Sequence, residues 1–63
     1  MLASHLARQL DIEISDTVRR LAFWRQQLEL QAGTELAHYV REIVDGYVTQ
    51  LARLEEARAS FEV

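Results

Sequence analysis

The sequence contains no cysteine, no proline and no lysine, and only two of its 63 residues are glycine. Without cysteine, the chain can form neither a disulfide nor a thiolate metal site. A domain this small usually needs a disulfide, a bound metal or a partner chain for stability, because its own hydrophobic core is small. With disulfides and thiolate metal sites excluded, self-association is the remaining way to stabilise so small a domain. We therefore expect a homodimer, and we expect it to hold no metal and no cofactor.

Long apolar runs and an excess of positive charge are missing as well. The apolar runs fall far short of the roughly 20 residues that span a bilayer. The start, MLASHLARQL, lacks the cationic beginning and the apolar stretch of a secretory signal. The formal net charge is −3, opposite in sign to a typical nucleic-acid domain. We expect a cytoplasmic protein that binds neither membranes nor nucleic acid.

One glycine divides the chain into two arms of nearly equal length. In QAGTEL, Gly33 suits the left-handed position that follows a helix end. Thr34 suits an N-cap, with Glu35 in the first turn of the next helix. The pattern predicts a single domain, 1–63, with helix 1 at about 2–31, a turn at about 32–34 and helix 2 at about 35–62.

Both arms show the apolar spacing of amphipathic helices, at about 100° per residue. In the first arm the stripe consists of Leu2, Leu6, Leu10, Ile14, Leu21, Trp24 and Leu28. In the second arm it consists of Leu36, Val40, Ile43, Tyr47, Leu51, Leu54 and Phe61, with Val44 at its margin.

Two antiparallel amphipathic helices cannot enclose a core, whereas two hairpins can do so as a four-helix bundle. We predict an all-α hairpin that dimerises. Thr17 and Gln50 would lie level, either as a polar layer that fixes the register or at the rim. The predicted hairpin and dimer core is Leu10, Ile14, Leu21, Trp24, Leu28, Leu36, Val40, Ile43, Tyr47, Leu51, Leu54 and Phe61.

A second interpretation begins at QLDIEIS, where apolar and polar residues alternate as they do in a β-strand. Ser15 would then cap a helix, and YVREIVDGY (39–47) is similar to the second helix of the ribbon-helix-helix family. That resemblance implies a DNA-binding dimer such as a repressor or antitoxin. Two departures count against it: the stretch from Ser15 to Gly33 is about a turn too long, and Asp11 and Glu13 would face DNA with the wrong sign.

The stretch RRLAFWR holds two adjacent aromatic residues that cannot both face the core. Trp24 lies on the core stripe, whereas Phe23 lies about 100° away. Phe23 is either buried by dimerisation or part of a surface that binds another protein, since aromatic residues and arginine are enriched at interface hot spots. The candidate partner-binding residues are Ile12, Arg19, Arg20, Phe23 and Leu30.

Other candidate sites are weak. Glu35 and His38 have the spacing of di-iron carboxylate bundles, but the helical wheel places them opposite the core with Glu42 and Asp45, so we expect a solvated face. No catalytic set and no glycine-rich phosphate loop emerge, and we do not expect an enzyme. Gly46 either admits another helix or is a tolerated surface glycine.

Three functions remain in view. The first is a small regulator, adaptor or inhibitor, of the kind that phage or mobile elements encode, which occludes a surface of a partner protein. The second is the ribbon-helix-helix DNA-binding protein. The third is a structural subunit that completes a larger assembly.

Overall fold

The computed structural model describes residues 2–61 as two antiparallel α-helices. Helix α1 runs Leu2–Leu30 over 29 residues, and helix α2 runs Leu36–Ala59 over 24 residues. The hairpin is a rod of 49 × 14 × 12 Å, and residues 2–61 contain no β-strand. The prediction of an all-α helical hairpin is confirmed. Helix α2 stops short of the predicted end at about residue 62, which lies outside the described residues.

The alternating segment around Ile12 is helical, so the strand interpretation is wrong. Residues 10–15 lie inside α1. Leu10 and Ile14, one helical turn apart, are half-buried, while Ile12 between them is exposed. The helical apolar spacing continues on both sides of this segment, so a helix lets Leu10 and Ile14 join one stripe with Leu21. A strand there would interrupt that stripe.

The turn follows the prediction at Gly33 and departs from it at Thr34. Gly33 has φ 84°, the left-handed region in which glycine carries no Cβ penalty. Thr34 was predicted to cap α2, and this is wrong: its Oγ1 donates instead to the carbonyl of Gln31 at 2.7 Å. Glu35 occupies the N-cap position in helical conformation, without a side-chain cap. The Thr34 hydroxyl thus satisfies a carbonyl at the end of α1, where such groups lack helical partners.

The interior of the hairpin is a short seam between the helices. Leu21, Val40 and Val44 are buried in it. Four half-buried residues pack against these three, namely Trp24, Leu28, Tyr47 and Leu51. Val44, expected only at the margin of the stripe, therefore lies at its centre.

The remaining predicted core residues divide between the seam and the surface. Leu10, Ile14 and Leu54 are half-buried, whereas Leu36, Ile43 and Phe61 are exposed. The hairpin alone does not bury these last three. Their place in a dimer core stays a prediction.

Two polar contacts join the helices. The Gln50 Nε2 donates to Thr17 Oγ1 at 3.5 Å, and the Arg58 Nε donates to Asp11 Oδ1 at 2.7 Å. Thr17 and Gln50 therefore lie level, as predicted. Thr17 is only 2% exposed and sits in the seam, while Gln50 is exposed at its edge. The polar pair thus links the seam to the surface.

Candidate functional site: an apolar stripe on the outer face of helix α1

Three large apolar side chains lie exposed on the side of α1 that faces away from α2. Ile12 is 55%, Phe23 53% and Leu30 65% exposed. Their spacings of 11 and 7 residues bring each one back to nearly the same helical angle, about 160–180° from the buried Leu21. We call these three residues the outer stripe. They are the apolar members of the predicted partner-binding set.

Phe23 is held in place by its neighbour in the sequence. The Phe23 and Trp24 rings meet edge to face, with centroids 5.2 Å apart and planes at 88°. Trp24 packs against the buried cluster, so its ring is supported from the seam side. Edge-to-face pairs of this kind contribute roughly 0.5–1.5 kcal/mol beyond burial. The contact with the packed Trp24 ring therefore restricts the orientation of the exposed Phe23 ring.

The outer stripe is not continuous along its whole length. Phe23 and Leu30 are about 10 Å apart along the helix axis, whereas Ile12 lies about 16 Å from Phe23. The charged residues Asp16 and Arg19 occupy the outer face between Ile12 and Phe23. Phe23 and Leu30 thus lie two helical turns apart on the outer face with no charge between them there, and Ile12 lies apart from both.

The two arginines of the predicted set occupy different environments. Arg19 is exposed beside the outer stripe and forms no ion pair or side-chain hydrogen bond within residues 2–61. Arg20 forms an ion pair with Asp16 at 3.0 Å. The pKa of the Arg20 guanidinium is raised above its ordinary value, first by a hydrogen bond to the Tyr47 hydroxyl on α2 and second by the Asp16 carboxylate. Arg20 thus lies toward the inter-helix edge, and Arg19 is the arginine available to a partner.

The acidic face of α2 holds a local pair. His38 Nε2 lies 3.3 Å from Glu42 Oε1, one turn along the helix, and both side chains are largely exposed. In the part of the chain that the structure describes, no three His, Asp or Glu side chains are grouped as ligands for one ion. The spacing of Glu35 and His38 does not bring them to a shared centre with Glu42 and Asp45.

Several exposed apolar residues were not predicted as site residues. They are Leu6, Val18, Tyr39 and Val48, to which the exposed Leu36, Ile43 and Phe61 add. The helical wheel does carry a signal for them, because each lies on a flank of the inter-helix stripe or near a helix end. Periodicity alone does not show how far round each helix burial extends in a two-helix rod.

No protein-family model, curated protein or solved structure matches this chain. None of the helices described combines the length and apolarity that crossing a bilayer requires.

Proposed function

We propose that the chain is a small non-enzymatic protein-binding regulator of the inhibitor or adaptor type. It acts as a helical-hairpin homodimer whose outer stripe occludes a surface of a partner protein. The observation that carries the proposal is the exposure of Phe23. More than half of its surface is open to solvent, although the nearby Leu21 belongs to the buried cluster and the adjacent Trp24 packs against it.

Two further features support a partner at this surface. An exposed Phe and Leu one heptad apart form the kind of ridge that helix-in-groove recognition uses. Arg19 lies beside them without a charge partner in the described chain, which suits an acidic rim on the target. The segment 17–31 carries three arginines and one acid, a local charge of +2 in a chain of net charge −3. Such a local excess steers association with acidic surfaces.

The test is Phe23→Asp, with Ala52→Asp as the matched control on an exposed face of α2. Each variant is tagged, expressed in the source cells and purified at equal levels, and the proteins retained at stoichiometric amounts are compared. We expect a discrete protein to be retained by the wild type and by Ala52→Asp and to be lost with Phe23→Asp, while far-UV circular dichroism stays unchanged.

Two results would count against the proposal. Retention of the same protein by Phe23→Asp would remove the outer stripe from binding. Loss of helicity in Phe23→Asp would make Phe23 part of the dimer core rather than a target-binding residue.

A further inference from the structure

One flank of α2 carries no charge along its whole length. At about 100° per residue, seven positions of α2 fall within an 80° sector beside the seam, and Phe61, just past the end of the helix, continues their spacing. Together they are Leu36, Tyr39, Ile43, Gly46, Gln50, Leu54, Ala57 and Phe61. We call this set the uncharged strip. The charges of α2 lie elsewhere, and the flank on the other side of the seam holds Arg41 and Glu55.

The strip exposes apolar side chains on either side of Gly46, which has no side chain. Leu36, Tyr39, Ile43 and Phe61 are all exposed. At Gly46, apart from its two chain neighbours and the nearby backbone of α2, no heavy atom lies within 4 Å of where a Cβ would sit. Gly46 lines an open concavity of about 300 Å³ together with Ile43, Tyr47 and Gln50. The strip therefore exposes apolar side chains at both ends, Leu36 and Tyr39 at one and Phe61 at the other, with the concavity at Gly46 between them.

The hairpin also exposes more surface than a chain of its mass normally does. Its accessible surface is 5019 Å² for 7.3 kDa. Folded monomers of that mass expose about 4,200 Å², so the excess is roughly 800 Å². A standard protein interface removes about 800 Å² from each partner. One interface of ordinary size would thus bring the exposed surface of this chain to the usual value.

We infer that the uncharged strip is the surface on which a second copy of the chain packs, with the two-fold axis near Gly46. In such a dimer the same patch meets itself, so any charge close to the axis would face its own like charge. The strip itself carries no charge. The nearest charged residues of α2, Glu42 and Arg53, lie along its outer border. Arg20 of α1 lies at the seam edge, hydrogen-bonded to Tyr47. The outer stripe of α1, by contrast, is interrupted by Asp16 and Arg19. Depletion of charge is also typical of interface cores.

Gly46 has a defined role in this arrangement. Because it has no side chain, the backbones of two α2 helices can approach closely at the axis, while Ile43 of each copy fills the concavity beside Gly46 of the other. This assignment rests on the dimerisation included in the proposed function and separates the self-association surface from the target-binding surface.

The test is the association state of Gly46→Glu, measured by sedimentation equilibrium. The hairpin has room for the new side chain, and Glu has a higher helix propensity than Gly, so the fold is expected to persist. In the dimer, two carboxylates would meet at the axis. Like charges in direct opposition cost several kcal/mol, so we expect the dissociation constant to rise by roughly 100-fold or more. Ala52→Glu, on an exposed face about 120° away, is the control and is expected to leave it unchanged.

Each outcome has a definite meaning. Wild-type mass of twice 7.3 kDa, lost in Gly46→Glu and kept in Ala52→Glu with unchanged circular dichroism, supports the assignment. A wild-type dimer that survives Gly46→Glu overturns the assignment of the strip and leaves dimerisation standing. A wild type that stays monomeric at high micromolar concentration overturns both, and another occupant then covers the strip. In either of these two cases the target-binding role of Phe23 remains to be judged by its own test.

Discussion

The outer stripe of α1 and the uncharged strip of α2 expose similar kinds of side chain and differ in what lies between them. On α1, Asp16 and Arg19 separate Ile12 from Phe23. On α2, the positions between the exposed apolar residues are glycine, glutamine, alanine and a half-buried leucine. A charge on a surface that meets a different protein can find an opposite charge there. A charge near the axis of a self-complementary surface meets its own sign. Charge pattern, rather than apolar content, thus distinguishes the two surfaces.

The adjacent aromatic residues mark the boundary between surface and seam, and they give the largest expected effect. Trp24→Ala removes a half-buried ring that packs against the buried cluster, and we expect it to lower the free energy of unfolding by about 3 kcal/mol. Phe23→Ala removes a ring that is 53% exposed together with its edge-to-face contact to Trp24, and we expect a smaller loss of about 1–2 kcal/mol. Urea denaturation followed by circular dichroism measures both changes.

The two variants have to be compared at one protein concentration, because the stability of a dimer depends on it. Equal losses for the two rings would mean that Phe23 is buried in the assembled protein. The outer stripe of α1 would then be a self-association surface as well, and it would no longer differ from the uncharged strip in role.

A matched pair on α2 tests the other side of the contrast. Ile43 and Val48 are exposed to similar extents, 37% and 42%, and lie on opposite flanks of the seam. Ile43→Glu places a charge in the uncharged strip, and we expect the dimer dissociation constant to rise roughly 30-fold, equivalent to about 2 kcal/mol. Val48→Glu places the same charge outside the strip. We expect its effect on dimerisation to stay within about threefold.

Sedimentation equilibrium gives both constants, and thermal melts of dilute samples report any cost to the hairpin itself. A larger effect from Val48→Glu than from Ile43→Glu would move the self-association surface to the flank that carries Val48. In that event the absence of charge would not be what distinguishes a self-complementary face in this protein.

The helical periodicity and one glycine were sufficient to predict the hairpin. Spacings of three and four persist through both arms, and Gly33 is the position where the chain needs a positive φ. The alternation at Leu10, Ile12 and Ile14 pointed to a strand only when taken alone. In the longer pattern, the first and third of these residues belong to the helical stripe and Ile12 belongs to the outer face.

The extent of burial could not be predicted in the same way. A helical wheel places Leu36, Ile43 and Phe61 on the apolar side of α2, but only a narrow sector of a helix contacts a single neighbouring helix. Leu36 is the first residue of α2 and Phe61 lies two residues beyond its last, so both sit near the ends of the helix, where the rod offers little to cover them. The Thr34 prediction failed for a local reason, because one hydroxyl can serve either the helix that ends or the helix that begins, and here it serves α1.

The smallest expected effect concerns the polar residue in the seam. Thr17→Val replaces the buried hydroxyl by a methyl group of similar size. It removes the 3.5 Å hydrogen bond from Gln50, which is long and therefore weak. The loss of about 0.5–1.5 kcal/mol for a hydrogen bond is offset by burial of an additional methyl, worth about 0.8 kcal/mol. Since Gln50 is exposed, water can bind its freed amide. We expect the free energy of unfolding to change by less than about 1 kcal/mol.

Chemical denaturation of Thr17→Val, with Thr17→Ala as the cavity-forming control, measures this difference. A loss above about 2 kcal/mol in the valine variant would show that the hydroxyl itself sets the register of the two helices. Because Gln50 belongs to the uncharged strip, that result would also tie the register of the hairpin to the face on which we propose the second copy packs. A near-neutral result would leave the register to Leu21, Val40 and Val44 and to the ion pair between Asp11 and Arg58.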